Sequence, residues 1–121
     1  MSLKWEQVIV HAQDPVALGR WWAEALGWVV VYTDEINELE IRPEADRTPG
    51  LDFVRLDEAK QGKSRLHLDF RPDSQDDQDA EVARLIAHGA RRADIGQGDR
   101  PWVVLADPED NEFCILGPSS E

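Results

Sequence analysis

The sequence predicts an α+β protein built from two tandem β-α-β-β-β modules, residues 1–58 and 65–121, joined by a linker over 59–64. Three observations predict it. Segments with two-residue apolar alternation, as expected of strands with two unlike faces, are interrupted twice by a stretch with helical spacing. The order of segments in the first half recurs in the second. The spacing recurs as well: Asp14 and Gly27 follow Gln7 by seven and twenty residues, while Ser74 and Gly89 follow His67 by seven and twenty-two. One such unit of about 60 residues would leave a sheet face bare, so two are expected to pair and bury a core. A single ferredoxin-like β-α-β-β-α-β layer, the competing arrangement, leaves the additional strands unplaced.

WEQVIVHA (5–12) opens the first module as a strand, with Val8, Val10 and Ala12 on one side and Gln7, Ile9 and His11 on the other. Asp14-Pro15 reads as an N-cap followed by proline at the first helical position, and Leu18, Trp22 and Leu26 recur at helical spacing until Gly27. WVVVYT (28–33), NELEIRP (37–43) and LDFVRL (51–56) are rich in strand formers and are separated by Asp34-Glu35 and Pro49-Gly50. The polar stretch DEAKQGKS (57–64) marks an exposed connection. RLHLDF (65–70) then begins the second module as a strand with Leu66, Leu68 and Phe70 on one face and His67 and Asp69 on the other. Residues 72–77 make a polar turn and helix start, Val82, Leu85 and Ile86 form the inner side of the helix, and Gly89 ends it. ARRADI, the glycine-bearing turn GQGDRP, the strand WVVLA, the turn DPEDN and the strand EFCILG complete the order.

With 121 residues, 41% of them hydrophobic and five of them tryptophan, the chain can bury a core, and its 31% of charged residues describes a solvated surface. The 13 Lys+Arg against 25 Asp+Glu leave a formal charge of -12, which repels a phosphate backbone and an anionic leaflet, so neither nucleic acid nor membrane is an expected partner. No apolar run reaches the roughly 20 residues of a membrane span and MSLKWEQ lacks a signal-peptide pattern, so a cytoplasmic location is expected. The sole cysteine, Cys114, rules out an internal disulfide or a CxxC site, and within FCIL it is expected to be a small buried hydrophobe. Nucleotide-binding and classical hydrolase motifs are absent. The acidic run DSQDDQD (73–79) reads as a carboxylate-rich helix start and lacks the glycine and closing glutamate of a calcium loop, while His88 reads as a cation at a helix C-terminus. Trp21 and Trp22 are expected to cement helix to sheet or a subunit contact, whereas Trp5, Trp28 and Trp102, at strand beginnings, fit core and cavity equally.

QVIVHAQDPVALGRWWAEALGW in the first half, and RLHLDF and VVLADPEDNEFCILG in the second, resemble the vicinal oxygen chelate superfamily, the glyoxalase and bleomycin-resistance fold, and its small glyoxalase-like branch. The resemblance implies a curled, cup-like mixed sheet with helices on the convex side and a small-molecule ligand inside. On that frame Val8, Val10, Leu66, Leu68, Phe70, Phe113 and Ile115 pack against helices, while Gln7, Ile9, His11, His67, Asp69, Glu112, Cys114 and Leu116 face the cavity. Metal-dependent members carry a ligand on each of four strands, and the motif register puts Gln7, Val54, His67 and Cys114 at those positions. Val54 offers no donor and Cys114 replaces a carboxylate with a softer thiol, so no metal or other cofactor is expected.

The expected ligand-binding residues are therefore Gln7, His11, Asp69, Glu112 and Cys114, with His67 as acid or base of a metal-independent lyase or isomerase acting on an oxygen-bearing compound. As a plain strand residue, His67 would instead hydrogen-bond Asp69 or Gln7. The alternative is a non-catalytic, ligand-sequestering protein of the bleomycin-resistance type, for which the charge of -12 favours a cationic ligand. A third reading is a structural or regulatory module whose pocket is filled by its own tryptophans. The resemblance also implies a homodimer.

Overall fold

The computed structural model describes residues 2–73, 77–94 and 101–117. The chain divides into two compact units, Met1–Ala59 and Lys60–Glu121.

The first unit runs β1 (Gln7–Ala12), α1 (Pro15–Leu26), β2 (Val29–Thr33), β3 (Glu38–Arg42) and β4 (Gly50–Arg55). Its sheet has the order β1-β4-β3-β2, with β1 parallel to β4 and the other pairs antiparallel. The helix starts and stops where its local chemistry directs. The Asp14 side chain accepts the Ala17 N–H at 3.1 Å, and Pro15 needs no partner for a missing donor. Gly27, at φ 67, returns its N–H to the carbonyls of Ala23 and Glu24 in a left-handed conformation that glycine adopts without a Cβ clash. Leu18, Trp22 and Ala25 are buried on α1, which packs on β3 and β4, where Leu39, Ile41 and Phe53 are fully buried. Each such side chain contributes on the order of 1.5–3 kcal/mol by leaving water. Gly19 permits the approach, since a Cβ there would come within 2.4 Å of Leu39 Cδ2.

The second unit runs β5 (Leu68–Phe70), α2 (Gln78–His88), β6 (Arg91–Arg92), β7 (Val103–Ala106) and β8 (Glu112–Ile115). Its sheet order, β5-β8-β7-β6 with β5 parallel to β8, repeats the connectivity of the first. Val82 and Leu85 of α2 are buried, as are Val104, Leu105, Phe113 and Ile115 of the sheet, and the rings of Phe70 and Phe113 meet edge to face at 6.1 Å. Asp79 and Glu81 in the first turn of α2 and His88 in its last match the helix dipole. The turn between β7 and β8 is held by Asp107, whose Oδ1 accepts the N–H groups of Glu109 at 2.9 Å and Asn111 at 3.0 Å.

Two expectations are corrected. RLHLDF pairs only over Leu68–Phe70, while Arg65 and Leu66 bend away and leave Leu66 80% exposed instead of packed on a helix. Extending the register Leu68↔Phe113 back by two would set Leu66 beside Asn111, whose N–H already donates to Asp107. The strand therefore has no ladder to join at that end. Ile86, expected on the inner face of α2, is 39% exposed, because Val82 and Leu85 alone reach the core from that helix. Ser74, Gln75 and Asp76 of DSQDDQD, Ile95 of ARRADI, and all of GQGDRP except Pro101 lie outside the described residues. Among the described residues no helix is long and apolar enough to cross a membrane.

Candidate functional site

Alternation in the first unit sends Leu39, Ile41, Leu51 and Phe53 toward α1 and turns a second sheet face away from that helix. Cross-strand register arranges that face in rows. Ile9, Asp52, Glu40 and Tyr32 form one, and His11, Val54 and Glu38 form the next. Gln7 Nε2 donates to Asp52 Oδ2 at 3.2 Å. Asp52 is only 4% exposed, and its Oδ1 has no hydrogen-bond donor among the described residues. Burial, then the adjoining Glu38 carboxyl and the charges of Glu38 and Glu40, push the Asp52 carboxyl up to about 7 against the opposing pull of Gln7. Each of these carboxylates disfavours a second negative charge on Asp52.

The sequence reading missed this cluster. It named Val54 as the ligand position on β4; Val54 is in register with His11, and the side chain that Gln7 meets is Asp52. The available signal was the alternation in LDFVRL, which puts Asp52 on one face with Val54 and opposite to Phe53. His11 itself is exposed at the far end of β1.

In the second unit His67 lies one residue before β5, exposed, with Nδ1 3.8 Å from Cys114 Sγ. Asp69 is paired with Cys114 across the parallel β5–β8 ladder. Burial, followed by the charge of Asp69 and a hydrogen bond to it, pushes the Cys114 thiol up to about 11. Cys114 is thus both the buried small residue that FCIL suggests and a thiol that keeps its proton beside His67 and its ladder partner Asp69. Glu112 is buried, with its Oε2 2.6 Å from Lys60 Nζ and 2.9 Å from Ser64 Oγ, while its Oε1 accepts the Ser64 N–H at 3.0 Å. Burial works against its charge, but Lys60 and Ser64 outweigh it and hold the carboxyl at about 2. Glu112 therefore ties the start of the second unit to β8. Trp5 is 65% exposed, Trp22 is buried beside Trp21 at 5.1 Å between ring centroids, and Trp28 and Trp102 are half-buried.

The divalent metal of metal-dependent relatives does not fit these donors. Val54 has none, Cys114 offers a soft thiol where a carboxylate is expected, and Glu112 is paired with Lys60. Among the described residues no group of three or more His, Cys, Asp or Glu side chains is placed to hold a metal ion.

Comparison with known proteins gives a consistent result. The profile of the Glyoxalase-like domain family matches residues 7–116. None of the curated proteins matches the chain. Among solved structures, a glyoxalase/bleomycin resistance protein/dioxygenase family enzyme from Burkholderia phytofirmans PsJN has a TM-score of 0.73 at 19% identity, covering 93% of this chain and 97% of its own. A possible glyoxalase from Bacillus cereus has a TM-score of 0.72 at 15% identity, covering 95% and 99%. A mutant of the fosfomycin resistance protein FosX from Listeria monocytogenes, complexed with Mn(II) and 1S,2S-dihydroxypropylphosphonic acid, has a TM-score of 0.71 at 13% identity, covering 98% and 93%. At these identities the structures speak for the fold alone. With the repeated β-α-β-β-β topology and a family match over residues 7–116, this chain belongs to the glyoxalase-like domain family of the vicinal oxygen chelate superfamily.

Proposed function

We propose that the chain binds a small oxygen-bearing molecule without a divalent metal and that His67 acts on it as a general base, in a lyase or isomerase reaction. The observation that supports this reading is the run of contacts from His67 Nδ1 to Cys114 Sγ at 3.8 Å and on to Asp69. A thiol that keeps its proton donates it to Asp69, which leaves sulfur as the acceptor for an Nδ1–H. That tautomer turns the lone pair of Nε2 outward, and the ring is exposed. An imidazole so oriented can remove a proton from carbon beside a carbonyl and return it elsewhere, with no metal in the step.

In this reading Asp69 and Cys114 orient the base. Glu112 reaches a ligand only by giving up Lys60, and Gln7 and His11 are carried as ligand contacts by the family resemblance. The same reading carries the homodimer and the cytoplasmic location expected from the sequence, and light scattering at working concentration tests the first. The chemistry is tested by proton–deuterium exchange into a panel of α-hydroxyketones in D2O, followed by NMR in the presence of chelator. Exchange above background that falls by about 100-fold or more in His67→Ala supports the assignment. Equal exchange in His67→Ala removes it.

A further inference from the structure

The imidazole of the proposed base sits on a short exposed arch. Ser64 is half-buried, Arg65, Leu66 and His67 are exposed, and the chain turns back in at Leu68, where β5 pairs with Phe113 of β8. Bends at Arg65 and Leu66 make the arch. Its far end is fixed by the β5–β8 ladder, one residue after His67. Its near end is fixed three residues before His67, by side-chain chemistry in place of a ladder.

That near end is a reciprocal clamp between Ser64 and Glu112, residues 48 positions apart. The Ser64 N–H donates to Glu112 Oε1 at 3.0 Å, the Ser64 hydroxyl donates to Oε2 at 2.9 Å, and Ser64 Oγ accepts the Glu112 N–H at 3.4 Å. Three contacts between two residues set both the place and the rotation of Ser64, and two of them end on a charged acceptor, the stronger kind. Lys60 keeps that acceptor charged. Its Nζ is 2.6 Å from Oε2 and also donates to the Gly62 carbonyl, so the 60–64 strap folds around one ammonium group. Glu112 is only 8% exposed, which leaves its oxygens little reach toward a ligand. Extending the Leu68↔Phe113 register back by one places His67 beside Glu112, so the clamp is anchored on the strand position next to the imidazole. His67 Nδ1 meets Cys114 Sγ, two residues further along β8, at 3.8 Å. This is a long contact that a small shift of the arch breaks.

We infer that Glu112 is a positioning residue for His67: by clamping Ser64 it fixes the near end of the arch and so holds Nδ1 toward Cys114, acting through the chain and not by touching the ligand. The inference rests on the reading of His67 as the base. Misplacing a catalytic group by about 1 Å can cost on the order of 100-fold in rate, so a loosened clamp slows proton transfer while substrate binding stays. A purely structural Glu112 gives a different pattern, a lower unfolding midpoint with an unaltered imidazole.

Nitrogen-15 NMR of the His67 ring at pH 8, together with proton–deuterium exchange into dihydroxyacetone, tests this in Ser64→Ala, Ser64→Thr and Glu112→Gln. The unsubstituted ring is expected in the Nδ1–H form. Ser64→Ala deletes the hydroxyl and keeps the N–H bond; it should move the ring nitrogens toward the averaged shifts of two tautomers and lower the exchange kcat about tenfold or more, with KM within about twofold. Ser64→Thr keeps the hydroxyl and restores both. Urea unfolding identifies the variants that are folded, and if Glu112→Gln is not, Ser64→Ala decides alone. Ring shifts that stay unchanged in the folded variants, or a loss in Ser64→Ala that Ser64→Thr does not restore, overturn the inference. An unsubstituted protein that exchanges no proton removes the base instead, and the ring spectrum still decides the clamp.

Discussion

Replacing Asp52 by asparagine is expected to stabilise the protein at alkaline pH and to do little at acid pH. In the folded chain the Asp52 carboxyl lies at about 7, against 3.8 for an ordinary aspartate. A carboxyl raised in this way contributes its full stability below 3.8, where both states carry the proton, and loses it as pH rises through 7. The gap corresponds to an upper bound of about 4 kcal/mol, and the coupling of Asp52 to its neighbouring carboxylates leaves about 2–4 kcal/mol. Asparagine needs no proton to satisfy the site: its amide N–H donates to Glu38 and its carbonyl accepts from Gln7, which now donates to Asp52 at 3.2 Å. Urea unfolding of both proteins at pH 5 and pH 8 is the assay. The variant should exceed the parent by about 2–4 kcal/mol at pH 8 and by only about 1.5 kcal/mol at pH 5. A variant less stable than the parent at pH 8, or a difference that does not change with pH, would refute the reasoning.

Glu112→Gln should act in the opposite sense. Its carboxyl, at about 2 against an ordinary 4.5, stabilises the fold fully above 4.5 and loses that contribution as pH falls through 2, so the variant is weaker by about 2–3 kcal/mol at pH 7 and flatter in acid unfolding. Gly50→Ala places a Cβ 2.7 Å from the Ile41 carbonyl oxygen, and thermal unfolding should show a loss of about 1–3 kcal/mol; an unchanged midpoint would contradict the β3–β4 packing. Alkylation of Cys114 by iodoacetamide should be slow at pH 7–8 and keep accelerating to about pH 11, and a rate that levels off below pH 9 would contradict a thiol held protonated beside Asp69.

The parts of the fold written in short-range chemistry were legible. Asp14, Pro15 and Gly27 bound α1 because capping depends on groups within one turn, and alternation in WEQVIVHA assigns Val8 and Val10 correctly to the more buried side of β1. The parts set by distant partners were not. Leu66 looked like a core residue because RLHLDF alternates, yet whether that strand extends to it depends on how Asp107 folds the turn before β8. The meeting of Asp52 with Gln7 was not legible because the register of a parallel pair is fixed by residues 45 positions apart, as in the Gln7–Asp52 hydrogen bond. The bonds of Glu112 to Lys60 and Ser64 were not legible for the same reason, since those residues lie in a polar linker whose composition does not reveal what it will bind. His67 and Cys114 were named from the sequence, but the thiol's role between imidazole and Asp69 comes from the 3.8 Å approach and the ladder that pairs β5 with β8.

A carbon-13 NMR titration of the Asp52 side-chain carboxyl, assigned by comparison with Asp52→Asn, tests most directly whether the repeated topology gathers proton-holding side chains on the sheet face turned away from α1. The expected midpoint is about 7. A single midpoint near the ordinary 3.8, unaffected by Glu38→Gln, would contradict the register on which the cluster depends.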